Sequence, residues 1–88
     1  MAPKHASHPD IVARLKRAQG HLASVVAMFD AGRPCVDLAQ QLHAVESAIS
    51  NAKRELIHDH IENCLEDSAD VRDSRTALKE LKILAKYL

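Results

Sequence analysis

Aromatic residues are nearly missing from this chain, with one Phe, one Tyr and no Trp in 88 residues. Glycine and proline are almost as scarce, at two and three. A sandwich or barrel needs many Gly- and Asn-type turns between β-branched runs; neither is present, so sheet folds are excluded. No apolar run approaches the ~20 residues that a helix needs to span a bilayer. The start, Met1-Ala2-Pro3-Lys4-His5, lacks the apolar core of a secretory signal. These absences predict a soluble, cytoplasmic chain without membrane contact. Two cysteines, Cys35 and Cys64, are too few for a disulfide framework at this length. In a reducing compartment such thiols act as ligands, redox groups or core residues. Net charge is zero, but only by cancellation: residues 1–34 carry +3, residues 35–70 carry −6 and residues 71–88 carry +3. Nucleic-acid binding therefore has to be argued region by region.

What remains is the composition of a helical protein, 47% apolar and rich in Ala, Leu, Lys, Glu, Gln and Arg. The length allows one domain. The expected organisation is a flexible arm over residues 1–8 and a single helical domain over residues 9–88. Ser7 and Asp10 resemble a capping box, and Pro9 suits a first helical turn. Ile11, Leu15, Ala18, Leu22, Val25 and Phe29 follow at alternating steps of four and three, a heptad seam. Gly32 and Pro34 stop this first helix. A second seam runs Leu38, Leu42, Val45, Ile49, Ala52 and Leu56, then shifts by one through Ile57, Ile61 and Leu65. Neither Gly nor Pro interrupts residues 35–70, so the second helix is predicted at about 30 residues, roughly 45 Å. The acidic run Glu66–Asp70 ends it. A third, shorter helix is expected near Ser74 to Tyr87, with Leu78, Leu81, Leu84 and Leu88. Three helices of such unequal length cannot close a bundle. The long one overhangs and exposes an aliphatic stripe, which antiparallel self-association would cover.

Six histidines are many for 88 residues, and imidazole carries much of the metal chemistry of proteins near neutral pH. His60 and Cys64, four apart on the long helix, project from one face, a two-point chelate for Cu(I), Zn(II) or Ni(II). The other thiol, Cys35, lies 25 residues earlier, about 38 Å along a straight helix. One chain cannot gather these three ligands. In an antiparallel pair, Cys35 of one copy comes opposite His60 and Cys64 of the other, giving two equivalent Cys-His-Cys sites. The helix N-terminus around Cys35 favours the thiolate a metal needs. His58 is expected next to the site, and His5 or His8 on the arm are candidates for a fourth ligand. His21 and His43 are read as surface or hydrogen-bonded residues. Arg14, Lys16 and Arg17 on the first helix, with Lys53 and Arg54 on the second, become a broad basic surface when repeated by symmetry, able to contact several phosphates. No helix-turn-helix, zinc-finger or aromatic stacking pattern accompanies them.

Four blocks then resemble one family: Arg14-Leu15-Lys16-Arg17-Ala18-Gln19-Gly20-His21-Leu22, Gly32-Arg33-Pro34-Cys35, Gln40-Gln41-Leu42-His43-Ala44-Val45 and Ile57-His58-Asp59-His60-Ile61-Glu62-Asn63-Cys64. Together they look like the CsoR/RcnR family of small metal-sensing transcriptional repressors, over about residues 8–88. The resemblance implies an all-helical antiparallel homodimer, paired into a tetramer, that holds double-stranded operator DNA without metal and releases it when metal binds. It implies Cys35, His60 and Cys64 as ligands and Glu80 as an acid that hydrogen-bonds a ligand from the third helix. Copper-sensing members often carry Tyr before the first Cys, where this chain has Pro34. Nickel- and cobalt-sensing members add an N-terminal His near position 3, where this chain has Pro3 with His5 and His8 close by. A Cys-His-Cys set suits Cu(I), and a further His suits Ni(II); Zn(II) and Co(II) are compatible with the same donors. Formaldehyde-responsive members typically lack the second thiol, and persulfide-responsive members lack the His. The alternatives are a thiol-based persulfide or redox-sensing repressor, and a metal-storage or carrier protein without DNA binding. An enzyme is not expected: Cys–His pairs can act as nucleophile and base, but no oxyanion site or cleft for a small-molecule substrate goes with them.

Overall fold

The computed structural model describes the backbone of residues 8–67 and 71–88 and the side chains of residues 8–63 and 75–88. The described residues form three helices, α1 (His8–Asp30), α2 (Cys35–Asp67) and α3 (Val71–Ala85). No strand occurs among the described residues. None of the helices is long and apolar enough to cross a membrane.

α1 stops where its sequence stops it. Gly32 has φ of +70°, which costs a residue without Cβ nothing. Its amide donates to Phe29 O at 3.1 Å, and that of Arg33 donates to Met28 O at 3.1 Å. This pair of bonds is a Schellman cap, and it satisfies carbonyls the helix leaves open. Pro34 then supplies the carbonyl for the Leu38 amide, at 3.1 Å, and Cys35 becomes the first residue of α2. Arg33 and Asp37 pair across the junction at 3.0 Å. His8, expected on the arm, is the first residue of α1. α3 begins at Val71 rather than near Ser74, and its helical bonding ends at Ala85.

α1 and α2 form an antiparallel hairpin, with Arg14 of α1 paired to Glu55 of α2 and His21 donating from Nε2 to Gln41 Oε1 at 2.6 Å. The hairpin buries only half of each seam. Ile11, Ala18 and Val25 face Leu38, Val45 and Ala52, and all six are at most 8% exposed. The intervening rows, Leu15, Leu22 and Phe29 on α1 and Leu42, Ile49 and Leu56 on α2, remain 41–54% exposed. Ile57, at 2%, closes the core where the seam shifts by one. α3 folds back towards the C-terminal half of α2, with Leu81 and Leu84 half-buried and Leu78 and Ile83 exposed. At 33 residues, α2 is about 50 Å long. The radius of gyration is 17.7 Å, against about 12 Å for a compact domain of this length. One chain therefore does not enclose its own apolar surface.

Candidate metal centre

Cys35 is exposed at the N-terminus of α2, and its thiol is not engaged in a disulfide. His60 lies seven turns further along the same helix, so the sequence-predicted ligands occupy opposite ends of one rod. Cys64 lies on α2 one turn beyond His60, but its side chain is outside the described residues, as is the whole of His5. Among the described residues, no three His, Cys, Asp or Glu side chains of one chain stand close enough to hold a metal ion.

His60 is held from the third helix. Its Nε2 lies 2.9 Å from Glu80 Oε1. A carboxylate only accepts, so Nε2 carries the proton, and the neutral ring then has its lone pair on Nδ1. A hydrogen bond of this kind fixes the tautomer and rotation of a metal-binding imidazole. The residues therefore suit a soft or borderline metal: an accessible thiol at a helix N-terminus and an imidazole oriented by a carboxylate. Around this pair lies an apolar cleft of about 270 Å³, lined by His8, Leu56, His60, Glu80, Ile83 and Leu84. His8 thus reaches the cleft of His60 from the start of α1, with its Nε2 3.9 Å from Asp59 Oδ2.

His58 is not brought to that cleft. Two residues before His60 on a helix is about 200° away, and His58 lines a different depression with Asp10, Arg14, Glu55 and Glu62. Lys16, Arg17, Lys53 and Arg54 are exposed. Arg14 is already bound to Glu55, so a phosphate there would have to displace a carboxylate. Sequence reasoning did not foresee Glu55 and Asp59 as partners of Arg14 and His8. The only signal is the hairpin register, which no local pattern states. His21, read as unremarkable, ties α1 to α2 through Gln41.

Three comparisons bear on this arrangement. A family profile described as "Metal-sensitive transcriptional repressor" matches residues 7–86. The copper-sensing transcriptional repressor CsoR of Mycobacterium ulcerans is 41% identical over 76 residues, covering 84% of this chain and 63% of that protein. That of Bacillus subtilis is 35% identical over 71 residues, covering 81% and 70%. The chain thus spans a little under two thirds of the length of the mycobacterial relative. Among solved structures, the nickel-responsive transcriptional regulator InrS superposes over 100% of both chains with a TM-score of 0.82 at 29% identity. All-helical architecture and profile agree, and the family they indicate is one of transcriptional repressors rather than enzymes: the chain belongs to the metal-sensitive transcriptional repressor family.

Proposed function

We propose that this chain is a cytoplasmic repressor that holds operator DNA without metal and releases it when Ni(II) or Cu(I) binds between two copies. The carrying observation is the split donor set. Cys35 and the His60–Cys64 pair lie at opposite ends of α2, and the uncovered row between them is symmetric. Seven residues on either side of Ile49 come Leu42 and Leu56, and fourteen on either side come Cys35 and Asn63. A two-fold axis at Ile49 therefore pairs Leu42 with Leu56 of the other copy. The same register sets Cys35 opposite Asn63, between His60 and Cys64. Covering the apolar row and closing the ligand set thus require the same antiparallel dimer, and a dimer of dimers would extend its basic surface.

In that pair the metal is held by Cys35 of one protomer and by His60, through Nδ1, and Cys64 of the other. Glu80 orients the ring and links it to α3. Three donors suit Cu(I), and the presence of His8 in the same cleft supplies the fourth that Ni(II) prefers. The copper-sensing and nickel-responsive relatives support both metals. Lys16, Arg17 and Arg54 contact phosphate, joined by Arg14 when it leaves Glu55. Lys53 lines one groove with Ile49, as does Arg54. Metal alters DNA affinity only if the DNA-free conformation binds it more tightly, with a usual coupling of ~1–3 kcal/mol.

The test is anaerobic titration of the protein on a labelled duplex, selected from a random library, with release followed by fluorescence anisotropy. Cu(I), Ni(II), Co(II), Zn(II) and a persulfide are the arms. Cu(I) or Ni(II) should release DNA from the native chain and not from Cys35→Ala. His8→Ala should lose the Ni(II) response alone. Release from Cys35→Ala at the same metal concentration overturns the ligand assignment, and release by persulfide alone moves the chain to thiol sensing.

A further inference from the structure

The uncovered row of α2 is bordered by charge. A groove of about 440 Å³ on the outer side of α2 is lined by Glu46, Ile49, Ser50, Lys53 and their neighbours. The Glu46 side chain is 80% exposed and lies 3.9 Å from His43 Nδ1, one turn earlier on the same helix. Lys53 is exposed and makes no ion pair among the described residues. Glu46 and Lys53 are seven residues apart, about 10.5 Å along the axis, too far to meet each other on one helix. Both lie on the side of α2 that carries Ile49, one three residues before it and the other four residues after it.

We propose that Glu46 and Lys53 form a reciprocal charge clasp by which α2 recognises a second copy of itself. The inference rests on the antiparallel α2 pairing argued above and adds what selects its register and its partner. A two-fold axis at Ile49 brings Glu46 of each copy to within one residue of Lys53 of the other, about 1.5 Å along the axis and within reach of both side chains, giving two symmetric pairs that flank the axis. Each pair sits beside the Ile49 contact, where covering the apolar row removes water and strengthens the attraction. A parallel pairing in register would instead set Glu46 against Glu46 and Lys53 against Lys53. Like charges across an interface are strongly unfavourable, so the clasp rejects that arrangement and any related chain without the same two charges. Lys53 thereby serves the partner chain rather than phosphate.

The test is a charge swap read by sedimentation equilibrium, with far-UV circular dichroism to check helicity. Glu46→Lys alone sets two Lys–Lys contacts in a homodimer, and Lys53→Glu alone sets two Glu–Glu contacts. Each should raise the dimer Kd by about tenfold or more. Mixing the two variants restores opposite pairs at both positions, so a tagged Glu46→Lys chain should capture untagged Lys53→Glu chain at one to one. The double variant Glu46→Lys/Lys53→Glu should recover a homodimer. Single variants that dimerise like the native chain overturn the clasp while leaving the antiparallel dimer standing. So does a mixture that fails to restore pairing. A native chain that sediments as a monomer overturns the dimer and the clasp together.

Discussion

Ile49 offers the sharpest test of the dimer, because it is the one position of α2 where a single substitution changes the contact twice at the same point. It is 47% exposed in the protomer. Burying an aliphatic side chain completely is worth about 1.5–3 kcal/mol, so covering the remaining half contributes roughly 1 kcal/mol per copy. Ile49→Ala should therefore weaken the dimer by roughly 2 kcal/mol, about thirtyfold in Kd. Ile49→Asp should do far more, since two carboxylates would face each other where water has been removed. The protomer itself should not suffer. The site is uncovered before association, and Ala is a better helix former than Ile. Val45→Ala is the contrast: Val45 is 4% exposed against α1, so its truncation should lower the stability of the hairpin. Sedimentation equilibrium over a concentration series gives the Kd, and circular dichroism with urea gives the protomer stability. If Ile49→Asp dimerises with native affinity, the axis does not pass through Ile49, and the shared pocket loses its register.

Three further outcomes follow from the same geometry. Cys35→Ala and Cys64→Ala chains should each fail to bind metal at both sites, yet a mixed dimer should bind one metal ion. One of its pockets lacks both thiols and the other lacks neither; an equimolar mixture that takes up no metal after subunit exchange refutes sharing. Glu80→Gln should retain metal binding while losing part of the ~1–3 kcal/mol coupling to DNA, because the amide still touches the ring but no longer fixes it as a carboxylate does. Comparison of metal affinity with DNA release separates the two, and a variant with full release removes Glu80 from the pathway. Arg17→Ala should lower the slope of log affinity against log salt by about one unit for each copy in contact with the duplex. An unchanged slope puts the phosphate surface elsewhere.

The boundaries of α1 and α2 were legible because single residues impose them. Gly32 adopts a left-handed conformation and Pro34 ends one helix while opening the next, so Cys35 at the start of α2 could be read directly. The start of α3, at Val71, is less legible, because neither Gly nor Pro stands between residues 66 and 74 to mark it. The histidines were harder. His60 was singled out by its spacing to Cys64, whereas the surroundings of His58 and His8 depend on which way neighbouring helices turn.

The sequence alone determined that the chain is helical, that one helix is too long for its partners, and that Cys35 cannot reach the His60–Cys64 pair within one copy. Each of these follows from residue spacing and a fixed rise per residue. Only the tertiary structure decided which half of each heptad seam is covered. Both rows are apolar and either could face the other helix, until the hairpin sets Ile11, Ala18 and Val25 against Leu38, Val45 and Ala52. It likewise decided that Glu55 engages Arg14 and that Glu80, twenty residues after His60, returns to hold its ring. Those contacts depend on the direction the chain takes between helices, which periodicity does not encode.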